Sequence, residues 1–433
     1  MKNYKFVVPI VLVALFILSI YMLYDTKANA LLQYNEYLKL ARDYRKQDIQ
    51  VDAEENYIKA LSINPHIELY IEIGQFYNES EQIKKATEWG NTIINKYPME
   101  IIGYEFLMDL YIKQADYVAS FKLLDIIEKR NLSSTLVDEL ISEIEYEYFF
   151  NHEFSDVGIY SMGLCPVKIE DKWGYVDLTG KKVIGNKFIE AGYHSGQLAP
   201  VIDSNGQAYF IDTNGNKRKV VLDLKNVRKL GLIENGVFSL YNGSSWGFYN
   251  DDNEHIFGEY EEVSAMGNGV AAVMKDNNWS LVDRDGKALS PFTYDGVVMD
   301  DKLVVSRYDR VFVYSDYYYH LIDTKGNSIT NQKFQDARIF NDDTYAAVKI
   351  DGQWGFVDLD GNIKIEPKYE DARSFSNGYA AIKFAGKWGF IDMDNNIVID
   401  PQFDDAKDFN VAGCVFVLQN QEWRLLRLFK YNH

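Results

Sequence analysis

The residues best placed to do chemistry are aspartates that precede short polar turns. They recur in the C-terminal two thirds of the 433-residue chain as Asp177-Leu178-Thr179-Gly180, Asp212-Thr213-Asn214-Gly215, Asp283-Arg284-Asp285-Gly286, Asp323-Thr324-Lys325-Gly326 and Asp358-Leu359-Asp360-Gly361. Carboxylates two residues apart at Asp283/Asp285, Asp358/Asp360 and Asp392/Asp394 could share a calcium ion, which takes six or more oxygen ligands. The other copies carry Thr, Asn or Lys at the second place. An Asx turn, in which the carboxylate accepts a hydrogen bond from the backbone two residues on, suits every copy. Turn chemistry is therefore the expected role, with no metal and no cofactor.

Other reactive side chains are sparse. His66, His152, His194, His255, His320 and His433 stand singly, without a His-Glu-x-x-His, a Gly-x-Ser-x-Gly or a phosphate-binding glycine loop. No enzyme is expected, and a hydrolytic site formed where several repeats converge is a third alternative. Cys165 and Cys414 lie eight and nine residues before a tryptophan, in the first and last repeats. They are expected to be small buried side chains. A disulfide closing a ring is the alternative in an oxidising compartment.

A net charge of −19 argues against nucleic acid, whose phosphates need a basic surface. Hydrophobic residues make up 47% of the chain, which rules out bulk disorder, and its length suggests two or three domains.

These aspartates belong to a longer repeat that sets their positions. Trp173, Trp246, Trp279, Trp354, Trp388 and Trp423 recur, most clearly in Lys172-Trp173-Gly174-Tyr175-Val176-Asp177, Gln353-Trp354-Gly355-Phe356-Val357-Asp358 and Lys387-Trp388-Gly389-Phe390-Ile391-Asp392; Gly247 follows Trp246 likewise. Ala208 and Tyr319 hold the tryptophan place in two degenerate copies, giving intervals of 35, 38, 33, 40, 35, 34 and 35 residues. A second marker is aromatic, at Phe154, Phe188, Tyr260, Tyr294, Phe334, Tyr369 and Phe403, with Leu224 as its weak copy. After the first, each marker follows its tryptophan place by 14 to 16 residues. Periods of this size mean a solenoid, propeller or array.

In the unit 369–402, strands are expected at 369–375, 379–384, 387–393 and 397–400, after which Pro401 ends the pairing. Along the third strand Trp388 and Phe390 point one way and Gly389 the other, so the glycine is expected to admit a neighbouring sheet. The indoles should pack between successive units. The Trp-Gly signature resembles the WG-repeat family of bacterial proteins over roughly residues 154–433, which implies a repeat β-domain more than an activity. Eight units predict a β-propeller-like ring, with an open β-solenoid as the alternative. The chain enters at Phe154 and stops past the third strand at Trp423, so a ring could pair its two ends.

From about residue 30 to 150 apolar residues take helical spacing. Tyr37, Leu40, Ala41, Tyr44, Ala53, Tyr57, Ala60 and Pro65 resemble a tetratricopeptide repeat, and looser copies follow at Tyr70–Pro98 and from Tyr104. Gly90 and Ser120 depart from the pattern. A capping helix is expected over 133–150, with Leu136, Leu140, Ile144 and Tyr148 on its apolar face. The resemblance implies a partner-binding concave face carrying Asn35, Arg42, Arg45, Glu68, Gln75, Asn78, Glu105 and Asp109; a plain spacer is the alternative.

Phe6 to Tyr24 is an uncharged, largely apolar run preceded by Lys2 and Lys5. It is long enough to span a bilayer, and the basic flank predicts an N-terminus in the cytoplasm with the bulk extracytoplasmic, at the cell membrane. A signal peptide cleaved after Ala28-Asn29-Ala30 is the alternative. The expected domains are 1–29 (anchor), 30–150 (helical stack) and 151–433 (β-domain). The function expected is an anchored interaction scaffold with protein partners. Because the Trp-Gly turn is also similar to choline-binding cell-wall repeats, whose aromatics hold quaternary ammonium or sugar, a cell-wall glycan binder is the alternative.

Overall fold

The computed structural model describes residues 4–218 and 229–429, with the side chains of the first helix given in full from Thr26 onward. The chain divides between Glu147 and Tyr148 into two compact units.

The first unit is helical: α1 (Tyr4–Lys46), α2 (Gln50–Ile63), α3 (Ile67–Glu79), α4 (Ile83–Lys96), α5 (Ile102–Lys113), α6 (Tyr117–Lys129) and α7 (Thr135–Ile144). Ala41, Ala53, Ala60 and Ala86 are fully buried in its core, where their small side chains let helices approach closely. The two departures from the repeat are accommodated. Ser120 is fully buried and donates its hydroxyl to the Asp116 carbonyl at 3.1 Å. At Gly90 an added Cβ would fall 2.4 Å from Leu107 Cδ2, so the next helix fills the space an aromatic would take.

Two expectations are corrected here. Among the described residues no helix is long and apolar enough to cross a membrane, which overturns the single-pass anchor and the membrane localisation built on it. Most side chains of Phe6–Tyr24, on which that expectation rested, lie outside the described residues. α1 runs unbroken for 43 residues, because no Gly or Pro stands between Ile10 and Lys46 to stop it. The capping helix is shorter than expected: Ser134 caps it, accepting from Val137 N at 3.3 Å, but it ends at Ile144. Val137 and Ile144 are its buried residues, Leu136 is exposed, and Tyr148 already belongs to a strand.

The second unit is an eight-bladed β-propeller. Its antiparallel sheets are blade 1 (156–188), blade 2 (190–212), blade 3 (229–260), blade 4 (262–282), blade 5 (296–334), blade 6 (336–369), blade 7 (371–403) and blade 8 (405–428). Among the described residues blades 2 and 4 show three strands; the Leu224 marker lies outside those residues. The fourth strand of blade 8 is Tyr148–Phe154, which pairs with Glu422–Leu428 and sets Phe154 opposite Trp423. The ring is thus closed by the start of the domain, and the open solenoid falls away.

The same pairing explains the marker spacing. Trp173 faces Phe188, Trp246 faces Tyr260, Trp354 faces Tyr369 and Trp388 faces Phe403, each across the hairpin from third to fourth strand. The aromatic marker therefore ends a fourth strand instead of opening a first one. Phe154 is the same element, displaced in sequence to the other end of the domain.

The signature glycine serves its own blade, which corrects the expectation of a neighbouring sheet. A Cβ on Gly355 would lie 2.6 Å from Ile365 O and 2.7 Å from Pro367 N; on Gly174, 2.5 Å from Ile184 O. Between Trp354↔Tyr369 and Phe356↔Ile365 the fourth strand carries three residues against one, and this bulge presses onto the glycine. Pro367 and Pro401 sit in such bulges, where no ladder donor is needed, and pairing resumes at Phe403 beyond Pro401.

Candidate functional site

The repeated side chains bind the blades to each other. Trp279, Trp354, Trp388 and Trp423 are buried, while Trp173 and Trp246 are partly buried. Trp354 lies in a cluster with Phe356 of its own blade and Phe375, Ala380 and Ile382 of blade 7. Trp423 does the same across the closing seam with Phe154, Cys165, Val167, Cys414 and Phe416. The two cysteines are thus in one cluster, both as free thiols, and burial pushes the Cys414 thiol up to about 11.

The turn aspartates carry Asx turns. Asp358 Oδ1 accepts from Asp360 N at 3.0 Å and Asn362 N at 2.9 Å, and Asp212, Asp283, Asp323 and Asp392 repeat the arrangement. Burial alone would raise the Asp358 carboxyl, yet these hydrogen bonds and that from the Asn362 side chain hold it below the ordinary carboxylate value. Asp358→Ala is expected to lower the unfolding free energy by about 1 kcal/mol. The difference should shrink as pH falls through the native carboxyl pKa, because a depressed pKa contributes stability only while the group is ionised. Urea titrations at neutral and acid pH would show it.

A second set of repeated residues lies toward the ring centre and was not singled out from the sequence. Arg338, Arg373 and Lys407 each stand four residues after an aromatic marker, where other units have Gly158, Gly192, Ser264 and Val298, and Arg228 after the weak Leu224 copy lies outside the described residues. Each cation lies over the tryptophan of its own blade, at 5.1 Å for Arg338 on Trp354, 5.7 Å for Arg373 on Trp388 and 5.4 Å for Lys407 on Trp423. Each is also ion-paired: Arg338 with Asp371 at 2.9 Å, Arg373 with Asp405 at 3.6 Å and Lys407 with Asp301 at 3.6 Å.

Within this inner layer is a cavity of about 380 Å³, to which blade 1 contributes Tyr160, blade 5 Lys302 and Arg307, blade 6 Asn341, blade 7 Asn377 and blade 8 Asp408. Blades 1 and 5 are opposite each other in a ring of eight, so the cavity lies on its axis. A second cavity of about 250 Å³ shares Ile159, Asn341 and Asp408 with the first. Asp408 accepts from Asn341 Nδ2 at 2.9 Å through one oxygen, while its buried Oδ1 has no partner among the described residues. Burial raises the Asp408 carboxyl despite nearby Arg373, Lys407 and Arg338. Burial, then Arg307, lowers the Lys302 amine. Arg307 itself is paired with Asp342 at 3.0 Å.

In the helical unit the expected face is largely self-paired. Arg42 of α1 grips Glu72 of α3 through two hydrogen bonds of 2.7 Å. Arg45 reaches Glu79 at 2.9 Å and the Tyr57 hydroxyl at 3.3 Å, and Tyr57 donates to Glu72 at 2.9 Å. Glu68 pairs with His66, Asp109 with Lys113, and Glu105 accepts from the Ser134 hydroxyl. Asn35 and Gln75 are exposed and Asn78 half-buried. Glu72 and Glu79, two helical turns apart on α3, were the missing partners of Arg42 and Arg45.

The second unit is a propeller built on a tryptophan-glycine repeat. The family profile described as WG containing repeat matches residues 246–279, 321–354, 354–388 and 388–423, so this region carries WG repeats. No curated protein matches the chain. Solved structures to which the chain is similar include a crystal structure of a eukaryotic initiation factor, at 13% identity and a TM-score of 0.42 over 66% of this chain and 87% of that one. Kluyveromyces lactis Hsv2 matches at 13% identity and a TM-score of 0.37 over 55% and 93%. The AfRom2 CNH domain matches at 8% identity and 0.30 over 53% and 90%. WG repeats on a propeller suggest a repeat-based scaffold for protein interaction.

Proposed function

We propose that this protein is a non-catalytic interaction scaffold that engages protein partners through the turns of its propeller and the polar face of its helical unit. One observation carries the reading. Side chains that recur from blade to blade are taken up by the frame: tryptophans by inter-blade packing, glycines by close approach, aspartates by Asx turns. Specificity is left to what does not recur, such as the exposed Tyr317 in the blade 5 hairpin and Asn35 and Gln75 in the helical unit. The glycan reading finds less support, since it needs open indole faces and four of the six signature tryptophans are buried.

Photo-crosslinking residues placed at Gln75 and Tyr317 of the full chain, in living cells, test the proposal. Discrete protein adducts from at least one position are expected. Absence of adducts at both, with the chain present at normal abundance, would count against a protein-binding role.

A further inference from the structure

We propose that the long loop of blade 5 is an axial strut, which crosses the interior of the propeller and locks blade 8, the blade completed by the start of the domain, from within. In blades 1, 2, 4, 6, 7 and 8 six to eight residues join the short first strand to the second. Blade 5 uses thirteen, residues 298–310. The added length holds a further copy of the propeller's Asx turn. Asp300 Oδ1 accepts from Lys302 N at 2.9 Å and Val304 N at 2.8 Å, and the Asp300 carbonyl accepts from Leu303 N at 2.9 Å. Leu303, at a φ of +62°, takes the place that Gly286, Gly326 and Gly361 fill in the other turns. A leucine is strained in that conformation, and such strain persists where surrounding contacts hold it.

Those contacts tie the loop to other blades. Leu303 O accepts from Ala265 N of blade 4 at 2.8 Å. Val304 lies against Gly267 of the same blade, where an added Cβ would come within 2.7 Å of Val304 Cγ1. On the other side Asp301 pairs with Lys407 of blade 8 at 3.6 Å. Blade 8 is three places from blade 5, so this pair spans the interior of the ring.

Its place in a series shows what the pair replaces. Arg338 of blade 6 pairs with Asp371, the first residue of blade 7, and Arg373 of blade 7 pairs with Asp405, the first residue of blade 8. The next member would join Lys407 to Asp156, the first residue of blade 1. Among the described residues the ion pair of Lys407 is instead with Asp301. Where the ring closes, the bond between neighbouring blades is thus exchanged for a bond to the strut. Lys407 also lies 5.4 Å over the Trp423 ring, and Trp423 faces Phe154 on the closing strand. A ring springing open must carry blade 8 away from the axis, and the strut resists that movement.

Hydrogen exchange in the full chain, measured by mass spectrometry, tests the proposal. The readout is residues 148–154, with 182–188, the matching strand of blade 1, as reference. Asp301→Asn removes one charge of a partly exposed pair and should speed exchange of 148–154 about two- to fivefold. Lys407→Met should do at least as much, because it also loses the contact with Trp423. The double variant should add nothing beyond Lys407→Met, as expected of two residues acting through one bond. Asp156→Asn, at the position the series would use, should leave 148–154 unchanged. Should Lys407→Met fail to fold by circular dichroism, Asp301→Asn and Asp156→Asn decide. Unchanged protection in Asp301→Asn, an equal rise in Asp156→Asn, or additive effects in the double variant would overturn the proposal.

Discussion

Gly389→Ala should destabilise the propeller by about 3 kcal/mol, the upper end of what overpacking usually costs. The new Cβ would lie 2.5 Å from Ile399 O and 2.6 Å from Pro401 N. Both are backbone atoms in the bulge of the fourth strand, which cannot swing aside as a side chain would. Relief requires parting the two strands and with them the Phe390↔Ile399 pair. Gly185→Ala is the matched control. It also lies in a strand of the repeat, yet a Cβ there meets nothing within 4 Å, so its effect should stay within about 0.5 kcal/mol. Urea unfolding of the full chain, followed by tryptophan fluorescence, measures both. Equal midpoints for the two variants would refute the role given to the Trp-Gly pair.

Trp423→Ala should cost about 3–5 kcal/mol, the range for emptying a buried aromatic site. Its position adds a second consequence. Trp423 is 9% exposed, and it faces Phe154 on the strand that closes the ring while packing in the cluster that joins blades 8 and 1. Removing it loosens the one junction at which the propeller is held without covalent continuity. Amide exchange in residues 148–154 should therefore rise more than in 182–188, the equivalent strand of blade 1. Trp354→Ala, made between blades that are consecutive in the chain, should lose comparable stability without that local signature. Unchanged protection of 148–154 in Trp423→Ala would contradict this account of closure.

Much of the ring was legible because its framework depends on residue types that few other environments demand. A place filled by tryptophan in six of eight units and followed by glycine in four, recurring every 33 to 40 residues with the second marker 14 to 16 later, reports a cross-strand pair directly. What spacing could not convey was which backbone presses on the glycine, since a missing Cβ is the same on either face of a sheet. Cations four residues after a marker were also written in the sequence, as Arg228, Arg338, Arg373 and Lys407, but Gly, Ser and Val fill the same place in the other four units and mask the pattern. Asp408 and Lys302 could not be found at all by repetition. They belong to different blades and line one cavity without a shared position in the repeat.

The helical unit was read less evenly. Small residues at helix contacts marked the stack, and the buried alanines follow them. Arg42 and Arg45 of its expected binding face turned out to be engaged by Glu72 and Glu79 of the neighbouring repeat, a relation hidden until α1 and α3 are side by side. The apolar N-terminal run suggested a membrane span of its own; in the fold it is continuous with the first helix of the stack.

Closure by Tyr148–Phe154 also sets an order of events during synthesis. This strand leaves the ribosome before any blade exists, and its partner Glu422–Leu428 emerges only after the rest of the domain. Throughout translation the nascent chain therefore holds an unmatched strand at one end and a growing exposed edge at the other, the situation in which two copies can exchange strands. Loss of Glu422–Leu428 would leave that vulnerability permanent, because no other strand pairs with Tyr148–Phe154 among the described residues.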